Sequence, residues 1–249
     1  MIGIFAAMES EALACPEWTR NGDKVTIPGA TVFPGEGSFV CQTGIGREAA
    51  QVAADAALAR FAPTVVLSVG LAGGLEPGVT VGDVVICTHV DHESHRHSDS
   101  AQSIYANQSL LDAAQQTAAA SGLSVRTGTS LTVDEAAWGP AEKAAHHAWK
   151  PHDIVEMESF WIAAAASKRG LPFAAVRSIS DASVDTLPNI GAMRPDGTLD
   201  QQKFLAYLQA NPETGPQLSA IAQNSRLALT NLAAFLEAFL PSVAATRVA

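Results

Sequence analysis

Three acidic side chains follow short apolar runs that predict β-strands: Glu11, Glu158 and Asp181. Carboxyl groups that meet at one edge of a sheet suit cleavage of a ribosyl–base bond. Its transition state places positive charge on the sugar and negative charge on the departing base, so one acid protonates the base, a second activates water and a third binds the sugar hydroxyls. Each acid also has a simpler interpretation, because a carboxylate at a helix N-terminus complements the helix dipole by about 0.3–1 kcal/mol. Three such acids at one edge favour a site.

Two glycine-rich segments accompany these acids. Gly44–Ala49 fits the G-x-G-x-x-A pattern of dinucleotide-binding turns, but the next predicted strand ends in Ser68–Gly74 without the acidic residue that binds a ribose there. The sequence therefore predicts no NAD or FAD. Gly70–Leu75 lies at the C-terminal end of that strand, where small residues leave room for a flat ligand such as a nucleobase.

The elements that position these residues alternate between strands and helices. Apolar runs predict strands at Ile2–Ala7, Ser38–Thr43, Thr64–Val69, Val81–Cys87, Ser124–Gly128, Asp153–Val155 and Phe173–Ser178. Helical patterns cover Glu48–Phe61, Leu110–Ala120, Ala141–Trp149, Glu156–Lys168, Gln201–Gln209 and Pro216–Phe239. This alternation predicts an α/β layer structure with a mainly parallel sheet.

The chain is expected to form a single domain over residues 1–249, in which residues 181–249 are a polar loop followed by the C-terminal helices. The apolar face of the last helix predicts packing on the sheet. A cover for a lipidic substrate and a partner surface are the alternatives.

Composition narrows the function. The chain has 249 residues, 47% of them hydrophobic, and a formal net charge of −10, which disfavours nucleic acid as a partner. No uncharged apolar run approaches the roughly 18–20 residues that span a bilayer, so no integral membrane segment is predicted. The N-terminus lacks an export signal, and three widely spaced cysteines cannot form a disulfide framework, so a cytoplasmic location is expected.

The same residues resemble the purine nucleoside phosphorylase and methylthioadenosine/adenosylhomocysteine nucleosidase superfamily. The resemblance rests on Ile2–Glu11, Gly44–Gly46, Gly70–Leu75, Val81–Val85, the V-E-M-E run Val155–Glu158, and Val176–Asp181. It implies a mixed central sheet flanked by helices in three layers, with a helical C-terminal extension. It also implies that Asp181 donates a proton toward the purine, Glu11 activates water and Glu158 holds the ribose.

The resemblance extends to residues that would contact the substrate. Besides Glu158, the predicted contacts are Glu156, Met157, Ser180, Ala72, Gly73, Leu131, Thr132 and Phe160. Leu131 and Thr132 take the place of an apolar pair near the purine, and Phe160 and Trp161 are the two candidates for stacking. A homodimer or larger homo-oligomer is implied as well.

The tail is similar to one branch of that superfamily, the hopanoid-associated phosphorylases. Leu187-Pro188, Met193–Gly197 and the two helices that follow are the basis of this similarity. It implies removal of adenine from adenosylhopane, a lipid-linked nucleoside, by a protein that is cytoplasmic or peripheral to the membrane. A small thio-nucleoside is the alternative substrate.

The nucleophile is predicted to be water. Phosphorylases of this superfamily place a phosphate-binding Arg where this chain has Ser68, and Arg177 lies in a strand, where a structural role is open to it. Gly46 and Arg47 are the candidates to bind phosphate as a co-substrate; no other cofactor is predicted. Phosphorolysis and a non-catalytic nucleoside-binding or lipid-handling protein are the alternatives.

Four histidines, His89, His92, His95 and His97, lie within nine residues. Such a group suits zinc, but its polar surroundings predict a solvated loop, so no metal is expected. Cys15, Cys41 and Cys87 are predicted to be buried as small apolar residues.

Overall fold

The computed structural model describes residues 1–94 and 103–245. The strands are β1 (Ile2–Ala6), β2 (Val25–Ile27), β3 (Ala30–Gly35), β4 (Ser38–Gln42), β5 (Val65–Gly74), β6 (Val84–His92), β7 (Ile104–Tyr105), β8 (Val125–Thr132), β9 (Ile154–Glu156) and β10 (Phe173–Asp181). The helices are α1 (Glu9–Ala14), α2 (Arg47–Phe61), α3 (Gln108–Ser121), α4 (Pro140–Trp149), α5 (Ser159–Ser167), α6 (Gln201–Ala210) and α7 (Gly215–Ala245).

The strands form one mixed sheet with β5 at its centre. β5 pairs in parallel with β1 and β10 and, through its last two residues, antiparallel with β9. β6 pairs antiparallel with β10 and in parallel with β8, which itself pairs in parallel with β9. The path β5–β10–β6–β8–β9 therefore closes on itself, while β1, β4, β3 and β2 extend from it as an open wing.

The sheet is less parallel than strand–helix alternation predicts. The chain turns at Gly29, with φ 73°, and at Gly37, with φ 64°. These tight turns connect β2, β3 and β4 as antiparallel neighbours. Glycine is favoured there because its missing Cβ permits positive φ.

Helices cover both faces of the sheet, so the predicted three-layer architecture is confirmed. α2 and α5 pack on one face with a core of alanines, Phe39 and Ile162. α3 and the C-terminal half of α7 pack on the other face with Leu110, Phe235 and Phe239. The three cysteines are buried, as predicted.

The last helix combines membrane-like composition with a core position. Within the described residues, Pro212–Ala245 is the one helical segment long and apolar enough to cross a bilayer. Leu232, Phe235, Leu236, Phe239 and Leu240 nevertheless have no exposed surface, because they pack against the sheet. The interpretation as a helix that packs on the sheet is therefore confirmed for this half of α7.

The prediction of a solvated histidine loop is wrong for its first half. β6 continues to His92, so His89 and His92 lie in a strand that is held by β7 and β8 on its two sides. His95 and His97 lie outside the described residues.

Candidate active site

Glu11 fills a ring of backbone donors between β1 and β5. The chain turns after Ala6 and enters α1, which places the buried Glu11 carboxylate against three N–H groups. Its Oε2 accepts from Ala7 and Met8 at 2.9 Å each, and its Oε1 accepts from Leu71 at 2.8 Å. Burial raises the pKa of the Glu11 carboxyl, while the Arg177 guanidinium and the three N–H donors oppose that rise.

Glu158 is held by the glycine turn that follows β4. Gly46 has φ 84°, a conformation that favours glycine, and its N–H donates to Glu158 Oε1 at 2.8 Å. Glu158 is the N-cap of α5. The helix predicted to begin at Glu156 therefore begins later, at Ser159. Burial, and next the neighbouring Glu156 carboxylate, raise the pKa of Glu158 to about 8.

Glu158→Gln is expected to remove a pH dependence of stability. The folded protein retains the Glu158 proton up to about pH 8, whereas the unfolded chain releases it near the ordinary pKa of 4.5. The folded state thus binds more protons between these values. The contribution of Glu158 is full below 4.5 and is lost as pH rises toward 8. The variant should therefore gain thermal stability over the unaltered protein as pH rises from about 5 to 8.

Melting temperatures measured across this range test the prediction. Glu237→Gln, on the exposed face of α7, is the matched control and should parallel the unaltered protein. A constant difference between Glu158→Gln and the unaltered protein at all pH values would contradict the assignment.

Asp181 ends β10 beside Gly73 of β5. Its Oδ1 lies 2.8 Å from the Ser180 hydroxyl, and its Oδ2 accepts from Lys143 Nζ at 2.5 Å. Lys143 is fully buried and also donates to the carbonyl of Ala182 at 2.6 Å. The proposed acid is thus fixed by a buried cation from helix α4.

Sequence reasoning missed Lys143. It lies in an alanine- and histidine-rich helix, where a single lysine ordinarily reads as a solvated residue. The sequence showed only that this helix lies between the segments that hold Leu131 and Glu158. That order does not reveal which residue of the helix faces the end of β10. Only the packing of α4 on the end of β10 brings the two charges together.

Lys143→Met is expected to destabilise the fold by about 3–5 kcal/mol, because it leaves the Asp181 carboxylate buried without its counter-charge. Combining it with Asp181→Asn should cost less than the sum of the two single changes, since no charge is then left unpaired. Urea unfolding of the three variants measures this coupling. Lys168→Met, the same change at an exposed position, should stay within about 0.5 kcal/mol of the unaltered protein. Additive single effects would show that the pair does not interact.

Two of the three acids lie beside glycines of β5. A Cβ on Gly70 would lie 2.6 Å from Glu11 Oε1, and a Cβ on Gly73 would lie 2.8 Å from Asp181 Oδ2. The two glycines are three residues apart, or about 10 Å at the rise of a strand. The Glu158 carboxyl lies near enough to Glu11 for the Glu11 charge to raise the pKa of Glu158.

A buried network beneath these acids uses Glu156 and Arg177. Arg177 Nη2 lies 2.7 Å from Glu156 Oε2 and 2.9 Å from Ser68 Oγ. Glu156 Oε2 also accepts from the N–H of Glu158 and Ser159, and its Oε1 accepts from the Thr132 hydroxyl. The predicted substrate contact by Glu156 therefore has no support here, because both its oxygens bind protein. Arg177 is buried and bound within the protein, which agrees with the structural role that its strand position left open.

Leu131 and Thr132 need correction as purine contacts. Both are fully buried, since β8 runs four residues beyond its predicted end at Gly128. Leu131 packs in a small apolar cluster, and the Thr132 hydroxyl accepts from the N–H of Phe160 at 3.0 Å. Neither side chain offers surface to a ligand.

The remaining predicted contacts stay close to the acids. Met157 and Phe160 are half-buried, Ala72 is buried, and the Ser180 hydroxyl lies 3.4 Å from the Ala72 carbonyl. The Arg47 guanidinium is exposed and stacks 4.4 Å above the Trp161 ring, so it does not converge on Glu11 with the other groups. Their direct contact with a substrate stays a prediction.

The tail reaches both loops that hold the glutamates. A short turn at Pro195–Gly197 accepts a hydrogen bond from Ile45 N–H at 2.7 Å, and the Asp196 carbonyl accepts from Gln42 at 3.2 Å. A Cβ on Gly197 would lie 2.7 Å from the Ala7 carbonyl oxygen. The turn therefore packs between the Ala7–Met8 loop and the Gly44–Gly46 loop.

Comparison with known proteins agrees with this geometry. Residues 2–241 match the family described as the phosphorylase superfamily. The chain belongs to the phosphorylase superfamily. Among the relatives of this superfamily member is the 5'-methylthioadenosine/S-adenosylhomocysteine nucleosidase of Pseudoalteromonas translucida (strain TAC 125), 33% identical over 72% of this chain and 83% of that protein.

Solved structures of the superfamily show the same fold. The Neisseria meningitidis 5'-methylthioadenosine/S-adenosylhomocysteine nucleosidase superposes with a TM-score of 0.75 at 22% identity, over 97% of this chain and 98% of that one. The Helicobacter pylori futalosine hydrolase gives a TM-score of 0.75 at 19% identity, over 96% and 97% of the two chains.

Proposed function

We propose that this chain hydrolyses the N-glycosidic bond of an adenosine derivative and releases adenine. Asp181 passes a proton from the Lys143 ammonium group, which contacts it at 2.5 Å, to the base. Glu11 removes a proton from the attacking water, and Glu158 binds the ribose hydroxyls. The observation on which this proposal rests is the placement of Glu11 and Asp181 next to Gly70 and Gly73 of one strand, with Glu158 near enough to Glu11 for the two carboxyl groups to interact. The related nucleosidases support the reaction class.

Water is the proposed nucleophile because Glu11 already uses the donors that an anion would need. Three backbone N–H groups bind its carboxylate, and a phosphate at that place would meet like charge at close range. Arg177 is engaged by Glu156 and Ser68, so it is not available to neutralise a phosphate. A carboxylate in this position instead accepts the proton of a bound water.

Adenine release in phosphate-free buffer tests the nucleophile. We expect the rate to be unchanged by added phosphate, with free ribose derivative as the product. A phosphate requirement and a phosphorylated sugar would refute hydrolysis while leaving bond cleavage intact. Absence of adenine release from any adenosine derivative, despite tight binding, would instead support a non-catalytic binding protein.

The proposed substrate carries a large apolar group on the ribose, with adenosylhopane as the specific candidate. Apolar side chains are exposed on the segment and helix that follow Asp181: Val184, Met193, Leu199 and Leu205. Helix α6 buries none of its residues. Covering such a surface with a polycyclic hydrocarbon would contribute about 25 cal/mol per Å² to binding.

A small 5'-thio nucleoside is the second candidate, favoured by the 33% identical relative named for methylthioadenosine and adenosylhomocysteine. Parallel assays of adenosine, methylthioadenosine and adenosylhopane distinguish the two. We expect the highest kcat/KM with the lipid-linked nucleoside. Turnover of the small nucleosides alone would assign the second candidate.

A further inference from the structure

A second polar cluster joins β6 to the chain just before β9. His89 and Asp91 alternate along β6 and share one of its faces, and His152 approaches them from the segment after α4. The two Nε2 atoms lie 3.8 Å and 2.8 Å from Asp91 Oδ2. Each residue offers one ligand atom, and the three atoms lie within 4.8 Å of one another. Asp91 and His152 are buried.

The Nδ1 atoms of both imidazoles face acceptors. His152 Nδ1 lies 3.2 Å from the Lys150 carbonyl oxygen, which can only accept. His89 Nδ1 lies 3.3 Å from Thr88 Oγ1, whose own hydrogen is directed to the Gly128 carbonyl. Both Nδ1 atoms therefore act as donors, which leaves the two Nε2 atoms, both facing the Asp91 carboxylate, as the nitrogens that would bind a metal. A histidine that binds a metal is ordinarily oriented by such a hydrogen bond from its other nitrogen.

The carboxylate itself has unused capacity. Asp91 Oδ1 is buried and makes no hydrogen bond of acceptable geometry with the described residues, although the Ser103 hydroxyl lies near the same carboxylate. A buried carboxylate oxygen without a partner is costly unless a cation satisfies it. Both imidazole Nε2 atoms thus lie near Asp91 Oδ2, while Oδ1 of the same carboxylate lacks a hydrogen-bond partner among the described residues.

We propose that His89, Asp91 and His152 bind a divalent transition-metal ion, with zinc as the best match to two imidazoles and one carboxylate. The ion would tie β6 to the start of β9, two strands of the closed path. This site is separate from the proposed active site, because His92, on the opposite face of β6, is the residue that packs against Phe160 and Trp161.

Lys150 competes with the ion in this arrangement. Its ammonium group contacts Asp91 Oδ2 and supplies the positive charge that the cluster otherwise lacks. Its side chain is 44% exposed and lies at the end of α4, so it can turn into solvent when a metal binds. Removing Lys150 should therefore strengthen metal binding, whereas a purely structural ion pair would make its removal only destabilising.

The full-length chain, stripped with a chelator, is titrated with Zn²⁺ and with Mg²⁺ by calorimetry. We expect one Zn²⁺ per chain and no Mg²⁺ binding, because Mg²⁺ prefers oxygen ligands. Asp91→Asn and His152→Gln should each weaken Zn²⁺ binding by about 100-fold or more, beyond the loss seen when orienting groups are removed. Lys150→Met should bind Zn²⁺ roughly two- to fivefold more tightly.

His95→Gln combined with His97→Gln is the matched control and should leave Zn²⁺ affinity within twofold. Loss of binding in this control with retention in His152→Gln would overturn the proposal. Weaker Zn²⁺ binding by Lys150→Met would also overturn it. This variant keeps all three ligands, so it tests the proposal even if Asp91→Asn fails to fold. Absence of Zn²⁺ binding by the unaltered protein would overturn it directly.

Discussion

Asp181→Asn is expected to lower kcat for adenine release by a factor of about 10²–10⁴, the usual contribution of a positioned proton transfer. The amide keeps the size of the carboxyl group and an oxygen to accept from Lys143 Nζ, but it leaves that buried ammonium without a counter-charge. The variant should therefore lose stability, and its rate is measured at a temperature at which it is folded. It cannot deliver a proton to the purine. KM should change far less than kcat, because the loss falls on the transition state.

A substrate with a better leaving group separates acid catalysis from damage to the site. The 4-nitrophenolate group of a 4-nitrophenyl riboside leaves without being protonated. Asp181→Asn should therefore cleave this substrate at nearly the rate of the unaltered protein. Asp112→Asn on α3 is the control for the substitution itself. Equal losses with both substrates would mean that Asp181 holds the structure rather than donating a proton.

Glu11→Ala is expected to be of similar severity, with turnover reduced by about 10²–10⁴. Alanine leaves the N–H groups of Ala7, Met8 and Leu71 without their acceptor and the water without its base. Added formate can enter the vacated space and bind the same donors. We therefore expect formate to restore part of the rate in a saturable manner, measured as adenine released per minute.

Glu9→Ala is the matched control, because Glu9 is an exposed acid on the same helix, α1. It should retain the unaltered rate and show no response to formate. Near-normal turnover by Glu11→Ala would remove Glu11 from the reaction. A rate that is lost and stays unresponsive to formate would assign Glu11 to folding.

The acids were predictable because parallel strands end at a common edge. β1 and β10 both run parallel to β5, so residues just beyond their apolar runs fall near Gly70–Gly74. Applying this rule requires only the predicted end of each strand and its direction in the sheet. Glu11 and Asp181 follow from it directly.

Other parts depended on packing that sequence patterns do not encode. Lys143 reaches Asp181 through the position of a helix on a strand, and spacing along the chain carries no information about that contact. The segment His89–His92 was predicted to be a polar loop. Pairing with β7 and β8 satisfies the hydrogen bonds of its backbone and turns half of its side chains inward. Leu131 and Thr132 were misassigned because β8 continues to Thr132, beyond the run of residues from which a strand ending at Gly128 was predicted.

The interlocking of the Pro195–Gly197 turn with the Ala7–Met8 and Gly44–Gly46 loops has a consequence for divergence. Gly44 and Gly197 each sit where an added carbon would strike backbone from the other region. A chimaera that received the C-terminal third of a relative would have to import both loops as well. We therefore expect substitutions in the Pro195–Gly197 turn and in the two loops that it contacts to be accepted only in combination.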